Sequence, residues 1–318
     1  MSGLIDTLTR ELFGGDEQPA DAGGRSAIDT CRDLIANPET VTLPDGRQLG
    51  YAAVGDPDGA PLVVFHGFPN CRSFAALLDE PARERGVRVY VPERPGFGVS
   101  DPDPGRTLAD WPDDVAAFAD EMGLGTFPVL GISGGGPYAL ACAALLDDRV
   151  TRAGVGCGVG PMAAIPLGQR TPYYLARYLP PVVRLSLWRR GRTAREDPAA
   201  AQRQRAEEAA DVDEDRWLGE PGQVLVETSV AAAAEHGTAP LAHELALFGS
   251  PWDFDVTGIE IPVHLWYGKR DRIVPVEMGL HLAREVPTAE AHFYPDQAHI
   301  SVVQENRGAI LDALVEQA

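Results

Sequence analysis

The sequence predicts an α/β fold: a mostly parallel, doubly wound sheet of eight strands, with a helical cap inserted over one end. Three features of the chain point to it. Short apolar runs alternate with helix-length stretches along most of the 318 residues, a rhythm that gives parallel strands joined by right-handed crossovers. Strand signals stop between about residues 160 and 255, where helical runs and prolines take over. One apolar run ends in Gly131-Ile132-Ser133-Gly134-Gly135, a G-x-S-x-G turn that passes directly into a helix-like run.

Residues 1–38 read as an N-terminal extension, a solvated tail rather than a domain. Within it, residues 2–13 and 27–35 carry short helical patterns, and the acidic, glycine-bounded residues 14–24 read as flexible. Residues 39–43 and 48–54 flank Pro44-Asp45-Gly46 and form a β-hairpin at one edge of the sheet. Residues 61–65 and 87–91 are apolar runs suited to buried parallel strands, with a helix over 74–84 between them. A helix over 108–122 leads to the strand at 127–130, a helix follows to residue 146, and 150–159 is the next strand. Cap helices are expected over 173–188, 198–210, 223–234 and 239–247, with Arg189-Arg190-Gly191-Arg192 as a solvated basic helix end. The sheet resumes at 261–268 and 289–294 around a helix over 276–285, and a helix over 300–317 closes the chain. The α/β domain therefore spans 39–318, with the cap at about 160–255.

Composition narrows the function. Asp and Glu total 47 against 27 Lys and Arg, a formal net charge of −20. Phosphate binding needs a basic face, so a nucleic-acid partner is disfavoured. Acidity on this scale keeps a protein soluble at the cost of self-repulsion, and we expect a halophilic, salt-adapted protein whose stability responds to a salt titration. No apolar run approaches the roughly 18 to 20 residues that span a bilayer, and residues 1–10 lack an apolar signal-peptide core. A cytoplasmic protein without a membrane partner is expected. The cysteines, Cys31, Cys71, Cys142 and Cys157, show no C-x-x-C pairing, so neither a zinc site nor a disulfide framework is implied. No metal or organic cofactor is implied, and the oligomeric state is left open.

The chemistry centres on Ser133. A glycine-flanked serine is also what an ordinary βα turn contains, so a base and an acid must be found for it. In a doubly wound sheet, reactive residues gather at the carboxyl ends of the strands. Asp271 follows the strand at 261–268 and His299 follows the strand at 289–294, giving the chain order Ser, Asp, His. Asp253, at the end of the cap, and Asp296, only three residues before His299, are the rival acids. His264 is mid-strand, His281 and His292 read as surface or packing residues, and His236 and His243 belong to the cap. Tyr173, Tyr174, Tyr178, Trp188, Trp252 and Phe254 are the cap aromatics expected to face an apolar pocket.

Five stretches together carry a family resemblance. They are His66-Gly67-Phe68-Pro69, Arg94-Pro95-Gly96-Phe97-Gly98-Val99-Ser100-Asp101, the serine turn, Gly268-x-x-Asp271-x-x-Val274-Pro275, and Ala298-His299. In this order the chain resembles the α/β-hydrolase fold family, in particular its capped serine hydrolases of the esterase and proline-iminopeptidase type. Ala298 stands where the family usually has glycine before the histidine. The resemblance implies Ser133 as nucleophile, His299 as general base and acid, and Asp271 as the residue that orients His299. It also implies an oxyanion hole built from the backbone amides of Gly134 and Phe68, since Pro69 has no amide to offer. His66, Arg94 and Asp101 take structural roles. The serine at the nucleophile position argues against epoxide hydrolases and haloalkane dehalogenases, which use aspartate there. The expected activity is hydrolysis of a small-molecule acyl substrate, an ester or lactone, through an acyl-enzyme. A proline-iminopeptidase-like aminopeptidase and a low-turnover small-molecule sensor are the alternatives; the proline-releasing relatives tend to carry Trp in the serine turn, where this chain has Gly134.

Overall fold

The computed structural model describes residues 25–315. The helix expected over 2–13, the flexible stretch at 14–24 and the end of the closing helix lie outside the described residues. Eight strands, β1 (Glu39–Thr42), β2 (Gln48–Gly55), β3 (Ala60–Phe65), β4 (Val87–Pro92), β5 (Phe127–Ile132), β6 (Val150–Gly156), β7 (Val263–Gly268) and β8 (Ala289–Tyr294), form one sheet in the order β1-β2-β4-β3-β5-β6-β7-β8. β1 and β2 make the expected hairpin, β2 runs antiparallel to β4, and the remaining pairs are parallel.

Helices cover both faces because the strands are apolar on both. Alternate residues of β3 divide between two cores: Val63 and Phe65 join one, Leu62 and Val64 the other. The first core is closed by α3 (Trp111–Glu121), α4 (Gly136–Leu145) and α11 (Val276–Glu285). The second is closed by α2 (Asp79–Arg83) and α13 (Arg307–Leu314). Between β6 and β7 lies the cap, with α5 (Thr171–Tyr178), α6 (Pro180–Glu196), α7 (Pro198–Glu208), α8 (Glu214–Leu218), α9 (Glu220–Ala232) and α10 (Ala239–Phe248). None of the helices among the described residues is long and apolar enough to cross a membrane.

Three expected helices are broken, each for a local reason. The stretch at 74–84 is a 3₁₀ turn, Arg72–Leu77, followed by α2; Pro81 has no amide to continue a helical ladder back to Leu77. The stretch at 173–188 divides at Leu179, before Pro180 and Pro181, since a residue ahead of proline is pushed out of the helical region. The closing stretch divides between α12 (Ser301–Gln304) and α13. There the Asn306 side chain takes the Val302 carbonyl at 2.8 Å, the acceptor a continuous helix would give to its own amide.

The N-terminal helix α1 (Ala27–Ala36) is not a solvated tail. Cys31 is fully buried against Ala76 and Val224, and Arg32 forks onto the Glu227 carboxylate of α9. The Arg72 guanidinium donates to the Leu34 carbonyl at 3.0 Å and to Glu93 at 2.7 Å. This buried pair fastens α1 to the loop after β4.

A second buried charge cluster fastens the cap. Glu244 of α10 is fully buried between Arg94 and Arg106. It accepts a hydrogen bond from Arg106 and one from the Tyr138 hydroxyl at 2.7 Å. Arg94 Nε lies 2.6 Å from Glu244 Oε1, yet out of line for a hydrogen bond. Burial alone would favour protonation of Glu244; the two guanidinium groups outweigh it and hold the carboxyl below its ordinary range.

Candidate active site

β5 delivers Ser133 to the carboxyl end of the sheet. Its φ of +54° is unusual for a residue with a side chain, a strain the surroundings must hold in place. They do so through a 2.9 Å bond from the Val159 amide to the Ser133 carbonyl and through glycines where no side chain fits. A Cβ on Gly131 would stand 2.3 Å from the Gly135 carbonyl oxygen, and one on Gly135 would stand 2.1 Å from that of Phe65. Strand, turn and helix can therefore close tightly only with glycine there.

His299 reaches Ser133 from the loop after β8. Its Nε2 lies 3.0 Å from Ser133 Oγ, and its Nδ1 lies 2.7 Å from Asp271 Oδ2. The carboxylate only accepts, so Nδ1 carries a proton and the neutral imidazole offers Nε2 as acceptor to the serine hydroxyl. Asp271 is itself held: its Oδ1 accepts the amides of Ile273 at 2.7 Å and Val274 at 2.9 Å, and its side chain is fully buried. Burial disfavours the imidazolium, but the Asp271 carboxylate and then Cys157 outweigh burial and raise the His299 pKa well above the ordinary histidine value. The three residues expected from chain order thus come together in one hydrogen-bonded line, and the acid at His299 is Asp271, not Asp253 or Asp296.

Phe68 lies beside Gly134. A Cβ built on Gly134 would stand 2.9 Å from the Phe68 Cβ and 3.2 Å from its amide nitrogen. The two backbone segments implied as oxyanion donors are therefore in contact, next to Ser133. His66 stays away from the serine. Its Nε2 accepts the Arg94 amide at 3.4 Å, so its Nδ1 donates to the Gly67 carbonyl at 2.9 Å. Burial, then the Arg94 charge, pushes its pKa well below the ordinary value. Arg94 also donates to the His66 carbonyl at 2.6 Å, and Asp101 accepts the Gln48 amide at 2.8 Å. Both residues brace their loops.

Ser133 and His299 open onto a cavity of about 130 Å³ walled mainly by apolar side chains, among them Phe74, Leu77, Trp217, Leu225 and Ile273. None of the six cap aromatics expected to face the pocket borders it. Trp188 lines an adjoining cavity, Tyr173 a separate cleft, and Trp252 stacks on Phe254 at 5.1 Å. Tyr178 is 69% exposed. The cap's aromatic contribution is Trp217, a single indole in the acidic segment Asp213-Glu214-Asp215-Arg216-Trp217. Nothing in the pattern of α8 marks it, since its partners are distant in sequence.

Two sets of side chains have metal-ligating atoms within 4.8 Å of one another among the described residues. In the first, Asp271 and His299 are already committed to the line just described, and the Cys157 thiol donates to the His299 carbonyl at 3.4 Å. His264, Glu290 and His292 come together on one face of β7 and β8, where the register sets His264 opposite Glu290 and Trp266 opposite His292. His264 Nδ1 is buried there without a hydrogen-bond partner. Strand periodicity places these groups on one face, but only the parallel register brings them together.

On a doubly wound sheet the site thus sets a strained serine at a strand end, an imidazole on it, and a buried carboxylate behind. The chain belongs to the α/β hydrolase fold family, whose model matches residues 60–305. It is 26% identical over 256 residues to 2-hydroxymuconate semialdehyde hydrolase of Pseudomonas putida, covering 78% of this chain and 83% of that protein. It is 32% identical over 116 residues to the uncharacterized hydrolase YcgS of Bacillus subtilis, a match spanning 35% of this chain and only 38% of that relative. A solved hydrolase from Pseudomonas aeruginosa PA01 superimposes with a TM-score of 0.65 at 19% identity, over 88% of this chain and 99% of that one, which shows a common fold.

Proposed function

We propose that the chain is a serine hydrolase that cleaves small carboxylic esters or lactones through an acyl-enzyme. The observation that carries this reading is His299 bridging Ser133 Oγ at 3.0 Å and Asp271 at 2.7 Å. In the proposed mechanism Ser133 attacks the acyl carbonyl while neutral His299 takes the hydroxyl proton. Asp271 holds the imidazole in the required tautomer and stabilises the imidazolium. The amides of Phe68 and Gly134 receive the oxyanion, each worth about 3 kcal/mol of transition-state stabilisation. His299 then protonates the leaving alkoxide, and water repeats the sequence on the acyl-enzyme. The cavity favours an ester over an aminopeptidase substrate: among the described residues, none that line it is Asp or Glu, the groups that would receive a free α-ammonium.

The test is covalent labelling with a fluorophosphonate, comparing the wild type with Ser133→Ala, followed by a panel of esters of graded acyl length. Labelling of the wild type alone, with turnover on the panel, is expected. An unlabelled wild type overturns the reading, and labelling without turnover favours a sensor that keeps the fold but not the activity.

A further inference from the structure

We infer that the substrate carries a carboxylate on the part of the molecule lying under the cap, and that the guanidinium of Arg205 binds it. This rests on the acyl-enzyme reading of Ser133 and names the substrate class within it.

The first support is the distribution of charge. The chain as a whole carries a formal net charge of −20. Yet, among the described residues, neither the cavity at Ser133 nor the adjoining one beneath α6, α7 and α9 is lined by an Asp or Glu. Arginines line both: Arg205 and Arg307 the first, Arg190, Arg195 and Arg205 the second. A cationic hollow in a strongly acidic protein focuses a local positive potential and selects anions from solution.

The second support is Arg205 itself. It alone of these arginines forms part of both walls. Its guanidinium makes no hydrogen bond among the described residues, and its ion pair with Glu208 is long, at 3.7 Å. Glu208 is engaged elsewhere, with Arg190 at 3.1 and 3.3 Å and Gln204 at 3.0 Å. Burial, then the neighbouring Arg190, disfavours the Arg205 charge. An arginine does not escape such a site by losing its proton. The side chain is still 34% exposed, so its five donors in a fixed fork are open to a ligand along the wall of a mostly apolar cavity, and they match the two oxygens of a carboxylate.

Monomethyl and dimethyl esters of glutaric, adipic and suberic acid test the proposal, since each pair differs only in the free carboxylate. We expect the wild type to favour the monoester of at least one chain length by tenfold or more in kcat/KM. Arg205→Met lowers that ratio at least tenfold, and Arg205→Lys recovers part of it. A wild type with no such preference at any length, or a preference that Arg205→Met leaves intact, overturns the subsite. Calorimetry on Ser133→Ala reads the same preference without hydrolysis and without altering Arg205: the favoured monoester binds at least tenfold tighter than its diester, and equal binding overturns the proposal. Fluorophosphonate labelling of the wild type separates the two failures. An unlabelled Ser133 sinks the acyl-enzyme reading, whereas a labelled enzyme indifferent to the carboxylate sinks only the subsite.

Discussion

The carboxylate of Asp213, a cap residue, accepts the amide of Ile300 at 2.7 Å, and its second oxygen accepts that of Ser301 at 3.0 Å. These are the two residues that follow His299. Asp213 is fully buried. Two amides on one buried carboxylate are charge-assisted bonds, stronger than neutral ones. The cap therefore grips the loop that carries the imidazole, and the position of His299 over Ser133 depends on the cap being seated.

Asp213→Ala removes that grip and leaves two amides without their acceptor. On the proposed mechanism the loss falls on kcat, because small displacements of a base from its nucleophile are heavily penalised; a drop of about tenfold to a hundredfold is expected, with KM changing much less. Steady-state kinetics with a parallel thermal melt make the distinction. A variant that melts earlier but keeps its kcat shows Asp213 to be structural only.

Asp271→Asn tests the electrostatics of His299. In the proposed mechanism the imidazole serves as base only when neutral, so activity rises as pH rises through its pKa. Asp271 is the chief influence holding that pKa up against burial. Removing the charge moves the rising limb of the kcat/KM profile to lower pH, while the plateau falls by about four orders of magnitude through loss of the correct tautomer. The same shift bears on stability. A raised folded-state pKa contributes stability that is full below the unfolded value and lost as pH rises through the folded one. Denaturant titrations of Asp271→Asn should accordingly show a shallower decline than the wild type as pH is raised above the ordinary histidine range. An unmoved limb would show that Asp271 does not set the His299 pKa.

The sheet was legible because its strands are short apolar runs bounded by turn residues, and burial on both faces imposes that pattern. Ser133, Asp271 and His299 were legible for a related reason: each closes or follows a strand, so topology alone brings them to one end. The cap was not. Its helices are set by packing onto the domain, and the decisive contacts join residues far apart in sequence, such as Asp213 to Ile300 and Glu244 to Arg106. The six cap aromatics expected at the pocket carried no sign of which way they face. Docking of α1 was hidden similarly, because Cys31 meets its partners, Ala76 and Val224, only across the folded structure.

Gly134→Ala probes the proposed oxyanion donors. The added methyl would stand 2.9 Å from the Phe68 Cβ and 3.1 Å from the Phe248 ring. Phe248 is buried, so the segment carrying the Phe68 amide must shift. Displacing one donor lowers kcat by about a hundredfold to a thousandfold. Ester kinetics with a fluorophosphonate labelling rate check this, and the two should fall together because both pass through an oxyanion at the same position. A full labelling rate in Gly134→Ala would remove Phe68 from the proposed hole.

Glu244→Gln tests what holds the cap to the domain. Glu244 is the only carboxylate in contact with Arg94 and Arg106 among the described residues, and all three side chains are almost wholly buried. A glutamine keeps the shape and one acceptor oxygen but leaves two buried guanidinium charges uncompensated. Breaking a buried pair from one side destabilises by about 3 to 5 kcal/mol, far more than an exposed pair would. Denaturant unfolding at neutral pH should register that loss. The pH dependence gives a second signature. The folded-state pKa of Glu244 is depressed, so its contribution is present above the unfolded value and disappears as pH falls through the folded one. The stability gap between wild type and Glu244→Gln should therefore narrow on acidification below the ordinary glutamate range. A gap that stays constant across that range would mean the loss comes from packing around α10 and not from the charge.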